Sequence, residues 1–275
     1  MDPITRLSTI IFYEPIFNLL VVLYRFFSEN LGISIILIAL LSRLITLPIS
    51  LRQTKMMSTN KEMQAKMDAI KQKYKNDKQK QQEEMSKVTA EYFPAQIAGC
   101  LPAVLQLILF VNLYNVITAI IKGAENFNVV AYPFVEKFAE GYQLHTSFLG
   151  IVDLKTTAAS IGFSDLGVLP YLVLILLAAV TQFYSFKVSM PKISSDKDDA
   201  AKKEKAQKEN PAEDFSSALQ QSTKQTMFLF PVMIAFFSYS TPIGLSIYWI
   251  VQNSFVIIQT LLIQRFKRQS AERVI

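Results

Sequence analysis

The stretch "LGISIILIALLSRLITLPISL", residues 31–51, decides the class of this chain. As a helix it is long enough to cross ~30 Å of hydrocarbon, and it carries one charge, Arg43. At 1.5 Å per residue, Arg43 lies ~13 Å from Arg52, somewhat to that side of the span centre. A charge at such depth costs ~2.5–3.5 kcal/mol on insertion scales. Two readings fit. The arginine snorkels to the nearer headgroups, or it faces a water-filled cavity. The second is preferred, because helical side chains lean toward the helix N-terminus, which here is away from Arg52.

The rest of the sequence agrees with a membrane class. Of 275 residues, 51% are hydrophobic, and the mean hydropathy is +0.27. Four further stretches read as spans: 95–121, 168–190, 225–241 and 244–264. The last two are separated by little more than Pro242 and Gly244 and form a tight helical hairpin. The segment 1–30 does not read as a signal peptide, since it lacks a basic start and a small-residue cleavage site. Within it, 16–30 is apolar but short and carries Asn18, Arg25 and Glu29. It is read as an interfacial helix with a snorkelling Arg25, the alternative being a sixth span.

Charge sets the expected topology. Residues 52–93 carry ten Lys/Arg, 187–224 eight and the tail 264–275 four, whereas 122–167 carries three. The positive-inside rule places the first three in the cytoplasm and 122–167 outside. Five spans then put the N-terminus outside and the C-terminus inside.

The cytoplasmic segment 52–93 is hydrophilic but periodic. Met56, Met63, Met67, Ile70 and Tyr74 recur at helical spacing, and Met85, Val88 and Tyr92 resume it beyond a turn candidate at 75–77. An antiparallel helical hairpin is predicted. Its methionines either close its own seam or also offer a deformable surface to varied clients. Residues 191–224 read as a flexible cytoplasmic loop, charged and aromatic-free over 192–214. The tail 265–275, with Arg265, Lys267 and Arg268, fits either a topology anchor or contact with ribosomal RNA or lipid phosphates.

Chemistry is sparse. The single cysteine, Cys100, and single histidine, His145, leave no Cys/His metal cluster, and no cofactor is expected. The five spans contain no Asp, Glu or His, which disfavours a proton-coupled transporter. The lack of an Asp pair and of a GxSxG motif disfavours an intramembrane protease. Neutral polar groups recur instead: Gln106, Asn112 and Asn115, then Thr181 and Gln182, then Ser246, Gln252, Asn253 and Gln259. Alone, each is an ordinary interhelical hydrogen-bonding group. Together with Arg43 they favour a polar concavity. Pro48, Pro102, Pro170, Pro231 and Pro242 interrupt or bound the spans and favour a loosely packed bundle.

Four motifs, "SRLITLPISLRQTKMM" (42–57), "CLPAVLQLILFVNLYNVI" (100–117), "LPYLVLILLAAVTQF" (169–183) and "TPIGLSIYWIVQNSFVIIQTLLI" (241–263), resemble the YidC/Oxa/Alb membrane protein insertases. The closing pattern of Pro242, Gly244, Leu245, Tyr248, Trp249, Asn253 and Gln259 is the most specific. The resemblance covers about residues 12–266 and looks like a short form, without the family's large periplasmic domain or a lipoprotein signal. It implies an all-α polytopic fold: five transmembrane helices around a hydrophilic groove open to the cytoplasm. A cytoplasmic hairpin and an N-terminal interfacial helix complete it. It also implies a non-enzymatic role, moving nascent membrane protein segments into lipid without nucleotide hydrolysis and assisting their folding.

The groove residues would be Arg43, Gln106, Gln182, Tyr248, Trp249, Gln252 and Asn253. The hairpin methionines Met56, Met63, Met67 and Met85 would receive substrate. A client's polar flank would rest near Arg43 while its apolar part leaves between the third and fifth spans, along Tyr248 and Trp249. Implied partners are nascent membrane proteins, the ribosome and lipids, with the Sec translocon and the signal recognition particle receptor as further candidates, and no DNA. The expected location is the plasma (inner) membrane. The rivals are an anion transporter or channel and a passive assembly scaffold.

Overall fold

The computed structural model describes the backbone of residues 3–123, 125–189 and 211–272. Within these ranges the side chains at 3–5, 52–61, 64, 94–103, 121–122, 125–127, 211–224, 226, 267–268 and 270–272 lie outside the description. Most of the linker expected at 192–214 is also outside it.

The chain is largely helical. Helix α1 (Pro3–Ser8) runs through a π turn (Thr9–Tyr13) into α2 (Glu14–Phe26). Then come α3 (Leu31–Lys73), α4 (Lys78–Lys122), α5 (Glu125–Val130), a two-stranded hairpin, α6 (Ala158–Ile161) and a 3₁₀ turn (Leu166–Val168). Helices α7 (Leu169–Ser189), α8 (Pro211–Ser240) and α9 (Gly244–Glu272) complete the order. Among the described residues four segments are long and apolar enough to cross a membrane: Arg6–Phe26, Leu31–Leu51, Leu166–Ser189 and Gly244–Phe266. Two shorter apolar helices are Val104–Ile120 and Met227–Ser240.

The first of these segments differs from the sequence expectation. Glu14-Pro15 interrupts the apolar run of the sequence, and only 16–30 is expected there, as an interfacial helix or a sixth span. In the structure Pro15 follows directly on a π turn (Thr9–Tyr13), near the start of α2. The π turn before it carries the helix across without interruption. Arg25 is held by the loop segment. Its Nη1 lies 2.7 Å from Glu136 Oε2, its Nη2 donates to the Lys137 carbonyl, and its guanidinium lies over the Phe138 ring.

The chain forms two compact units. One comprises Met1–Ile45, Leu105–Ser189 and Leu229–Ile275. Its apolar core takes Phe17, Leu20, Val21 and Tyr24 from α2, Leu31, Ile35, Ile38 and Ala39 from α3, and Leu113, Val116, Ile117 and Ile120 from α4. Tyr171 and Ile175 of α7 and Leu245, Ile247 and Tyr248 of α9 close it. Loop residues Val135, Phe138, Val152 and Leu154 are buried in the same core. Segment 122–167 is therefore a packed part of the fold. It contains β1 (Ser147–Phe148) and β2 (Val152–Asp153), antiparallel with Phe148 opposite Val152. At two residues each, these strands leave the fold class all-α.

Asn18, 3% exposed, fastens α2 to that segment. Its Nδ2 donates to the Val130 carbonyl at 3.0 Å and its Oδ1 accepts from the Tyr132 N–H at 2.8 Å. Tyr24 Oη accepts from the His145 N–H at 2.8 Å.

The second unit comprises Thr46–Val104 and Met190–Phe228. Here the polar arms of α3 and α4 are joined by a turn, and Asp77 Oδ1 caps the start of α4 by accepting from the Lys80 N–H. Met63, Met67, Met85, Val88 and Tyr92 form its buried seam, with Ile70 against it. Lys66 lies 2.8 Å from Glu91 and over the Tyr92 ring. Helix α8 begins at Pro211, inside the stretch expected as a loop to 224, since "AEDFSSALQQ" lacks internal Gly or Pro to stop it.

Candidate functional site: a polar layer below the apolar core

The interior of the first unit changes character along its helices. Buried positions on α3 run Leu31, Ile35, Ile38, Ala39, and the half-buried Ser42 and Arg43 follow. On α7 they run Tyr171, Ile175, Ala178 and then Gln182 and Ser185. On α9 they run Leu245, Tyr248 and then Gln252 and Asn253. One helical period after another, the inward stripe turns from aliphatic to amide and hydroxyl. Each helix would bury apolar residues there if packing alone decided.

Two kinds of polar residue must be separated. Asn112, Thr118, Thr181 and Thr241 donate to carbonyls three or four residues back on their own helix and so satisfy themselves locally. Gln106, Gln182, Gln252 and Asn253 reach between helices. Gln106 Nε2 donates to Tyr248 Oη at 2.7 Å, joining α4 to α9. Gln252 Nε2 donates to Ser42 Oγ at 2.6 Å and to the Ala39 carbonyl at 3.1 Å, joining α9 to α3. Asn253 Nδ2 donates to Gln182 Oε1 at 3.0 Å, joining α9 to α7. Helix α9 is thus the hub of the layer, and Arg43 adds its cation beside Tyr248, within electrostatic reach of the phenol. Arg43 is half-buried with its Nε enclosed, and Gln252 Oε1 is a buried acceptor with no donor among the described residues.

The geometry gives Tyr248 and Trp249 different surroundings. Successive helical residues point ~100° apart, so the two meet different neighbours. Tyr248 is 1% exposed and turned into the polar layer. Trp249 stacks on Phe110 of α4 (centroids 4.7 Å apart) and meets Phe237 of α8 edge-on. Helices α7 and α9 pack along each other with the Gln182–Asn253 bond buried between them. The aromatic partners Phe110 and Phe237, and Ser42 and Ser185, were not singled out by sequence. Ser42 could have been found as the neighbour of Arg43; the aromatic triad has no such signal among 20 Phe.

The hairpin methionines are placed differently from the groove set. Met63, Met67 and Met85 are 7%, 4% and 7% exposed, facing their own seam rather than a surface. The Met56 side chain lies outside the described residues. Arg265 is exposed on α9, while the Lys267 and Arg268 side chains also lie outside the description.

Long apolar helices with outward Leu, Val and Phe around a polar interior layer define a multi-pass α-helical membrane protein. A model of the family described as "60Kd inner membrane protein" matches residues 22–271, and the chain belongs to that family. Among its relatives is a "Membrane protein insertase YidC" of Streptomyces avermitilis, 28% identical over 238 residues, covering 85% of this chain and 51% of the relative. "Membrane protein insertase MisCA" of Bacillus subtilis is 26% identical over 256 residues, 91% of this chain and 76% of the relative. "Membrane protein insertase YidC 2" of Listeria innocua is 27% identical, covering 100% of this chain and 79% of the relative. The chain therefore spans about half the length of the Streptomyces relative and about three quarters of the other two.

Proposed function

We propose that this protein is a membrane protein insertase that transfers nascent segments from the cytoplasm into the bilayer through the polar layer around Arg43. The observation that carries the reading is the interhelical polar set Ser42, Gln106, Gln182, Tyr248, Gln252 and Asn253, grouped with one cation inside apolar spans. A client's polar or acidic flank entering this layer meets amides, hydroxyls and a guanidinium instead of hydrocarbon, which lowers the cost of its desolvation. Burial of about 20 apolar client residues in lipid supplies the drive, so no nucleotide is required. The relatives' shared name supports the same reading.

In this scheme the charge bias orients the N-terminus outside and the C-terminus in the cytoplasm. The hairpin of residues 52–93 receives the client and the basic tail, with Arg265, Lys267 and Arg268, meets the ribosome or anionic lipid. The Sec translocon and the signal recognition particle receptor are candidate partners, and the same groove assists client folding and assembly. Because Gln182–Asn253 closes the α7–α9 seam, release along that seam requires this bond to open.

The test is insertion into proteoliposomes of a client with an acidic outer flank. Arg43→Ala should lose most insertion and Arg43→Lys should retain much of it, since charge is what the layer supplies. Wild-type insertion by the alanine variant would refute the electrostatic role.

A further inference from the structure

The loop segment contains a feature that insertion does not use. The β1–β2 hairpin turns through Leu149, Gly150 and Ile151, with the Ile151 N–H donating to the Phe148 carbonyl. Leu149 has φ +56°, in the left-handed region that a leucine side chain disfavours. Glycine or asparagine would relieve that strain, yet an apolar side chain stands there, 76% exposed, with Ile151 63% exposed beside it.

The hairpin's height is fixed by the ends of three helices. Phe148 packs directly on Gly32 in the first turn of α3, leaving no room for a Cβ there. The Asp153 N–H donates to Tyr171 Oη of α7 at 2.9 Å. The Leu154 and Thr156 carbonyls accept from the Gly244 and Ile243 N–H groups at the start of α9. Val152 and Leu154 are buried beneath. The turn therefore cannot rise away from the level where α3, α7 and α9 begin, which is the level of the bilayer boundary. Its nearby charges are paired with each other, Lys155 Nζ lying 3.8 Å from Asp153 Oδ2. Where α7 begins, Leu166 and Leu169 are exposed too and lead into the outward stripe of Val173 and Leu176.

We infer that the turn Leu149–Gly150–Ile151 is a lipid anchor, set into the headgroup–acyl boundary of the membrane at the loop end of the bundle. Two apolar side chains at that depth gain from leaving water, and the rigid hairpin passes the anchoring to the three span ends it touches.

The experiment uses the full chain in phosphatidylcholine–phosphatidylglycerol liposomes. Spin labels are attached to Leu149→Cys or Ile151→Cys in a Cys100→Ser background. Labels at Glu140→Cys and Leu176→Cys serve as water-exposed and lipid-exposed references. Oxygen should relax the labels at 149 and 151 several-fold more effectively, relative to a water-soluble nickel complex, than the label at 140, with a depth shallower than at 176. Nickel access equal to that at 140 would overturn the proposal. Shielding from both reagents would overturn it in favour of a protein partner. As a second arm, the Leu149→Asp, Ile151→Asp double variant should lower the melting temperature in liposomes but not in detergent micelles; an equal drop in both would show a purely internal role.

Discussion

Asn18→Leu tests whether α2 is clamped by protein or merely lies against it. Leucine keeps the branched outline and heavy-atom count of asparagine, with bulkier ends, while the polar contacts vanish. Two backbone groups lose their partner: the Val130 carbonyl, now bonded at 3.0 Å, and the Tyr132 N–H, now bonded at 2.8 Å. An orphaned polar group in a buried place costs about 1–3 kcal/mol. Both residues are half-buried, which favours the lower end of that range, so the pair should cost about 2–3 kcal/mol. The assay is thermal unfolding of the purified protein in detergent, alongside limited proteolysis. Leu19→Ala, one residue along on the exposed side of α2, is the control and should shift little. Asn18→Leu should melt well below it and open a cleavage site within 125–146, because that segment loses its tie to α2. If Asn18→Leu melts with the control and 125–146 stays resistant, the clamp is not what holds the segment.

Three further outcomes follow from the site and the hairpin. Replacing Gln182 and Asn253 by leucine, singly and together, should give a coupling of about 0.6 kcal/mol, and at most ~1.7, as for hydrogen bonds between membrane helices; zero coupling in a double-mutant cycle would mean the seam is held by apolar packing alone. Met67→Ala, in a seam position 4% exposed, should cost about 2–5 kcal/mol locally and raise amide exchange over 62–93 without altering exchange in α9. Glu84 is held below the ordinary glutamate pKa by its hydrogen bond and charge interaction with Lys87. A carboxyl with a lowered folded value contributes stability above its unfolded pKa and loses it as pH falls through the lowered one. Hairpin protection should therefore weaken slightly on acidification below the usual glutamate range, and Glu84→Gln should flatten that slope in exchange measured against pH.

What could be read from sequence, and what could not, divides along physical lines. Helical character and the apolar spans rest on composition and length, which single segments carry by themselves. Arg43 and the four interhelical amides were legible for the same reason: each is a polar residue where lipid would exclude one. Direction was not legible. Whether Tyr248 and Trp249 share a face depends on helix phase, and whether Met67 faces a client or its own seam depends on the partner arm across the turn. Glu14-Pro15 does not end the helix, because the chain is already helical from Pro3 and crosses the proline on a π turn that has no sequence mark. Segment 122–167 was hardest. Its order comes from Asn18, Tyr24 and Arg25, more than a hundred residues earlier, whose polarity suggested an aqueous interface. Those same groups, read with their partners, are the hydrogen-bonding donors and acceptors of a tertiary contact. A buried asparagine in an apolar helix is evidence of a backbone to be satisfied elsewhere in the chain, as much as of water nearby.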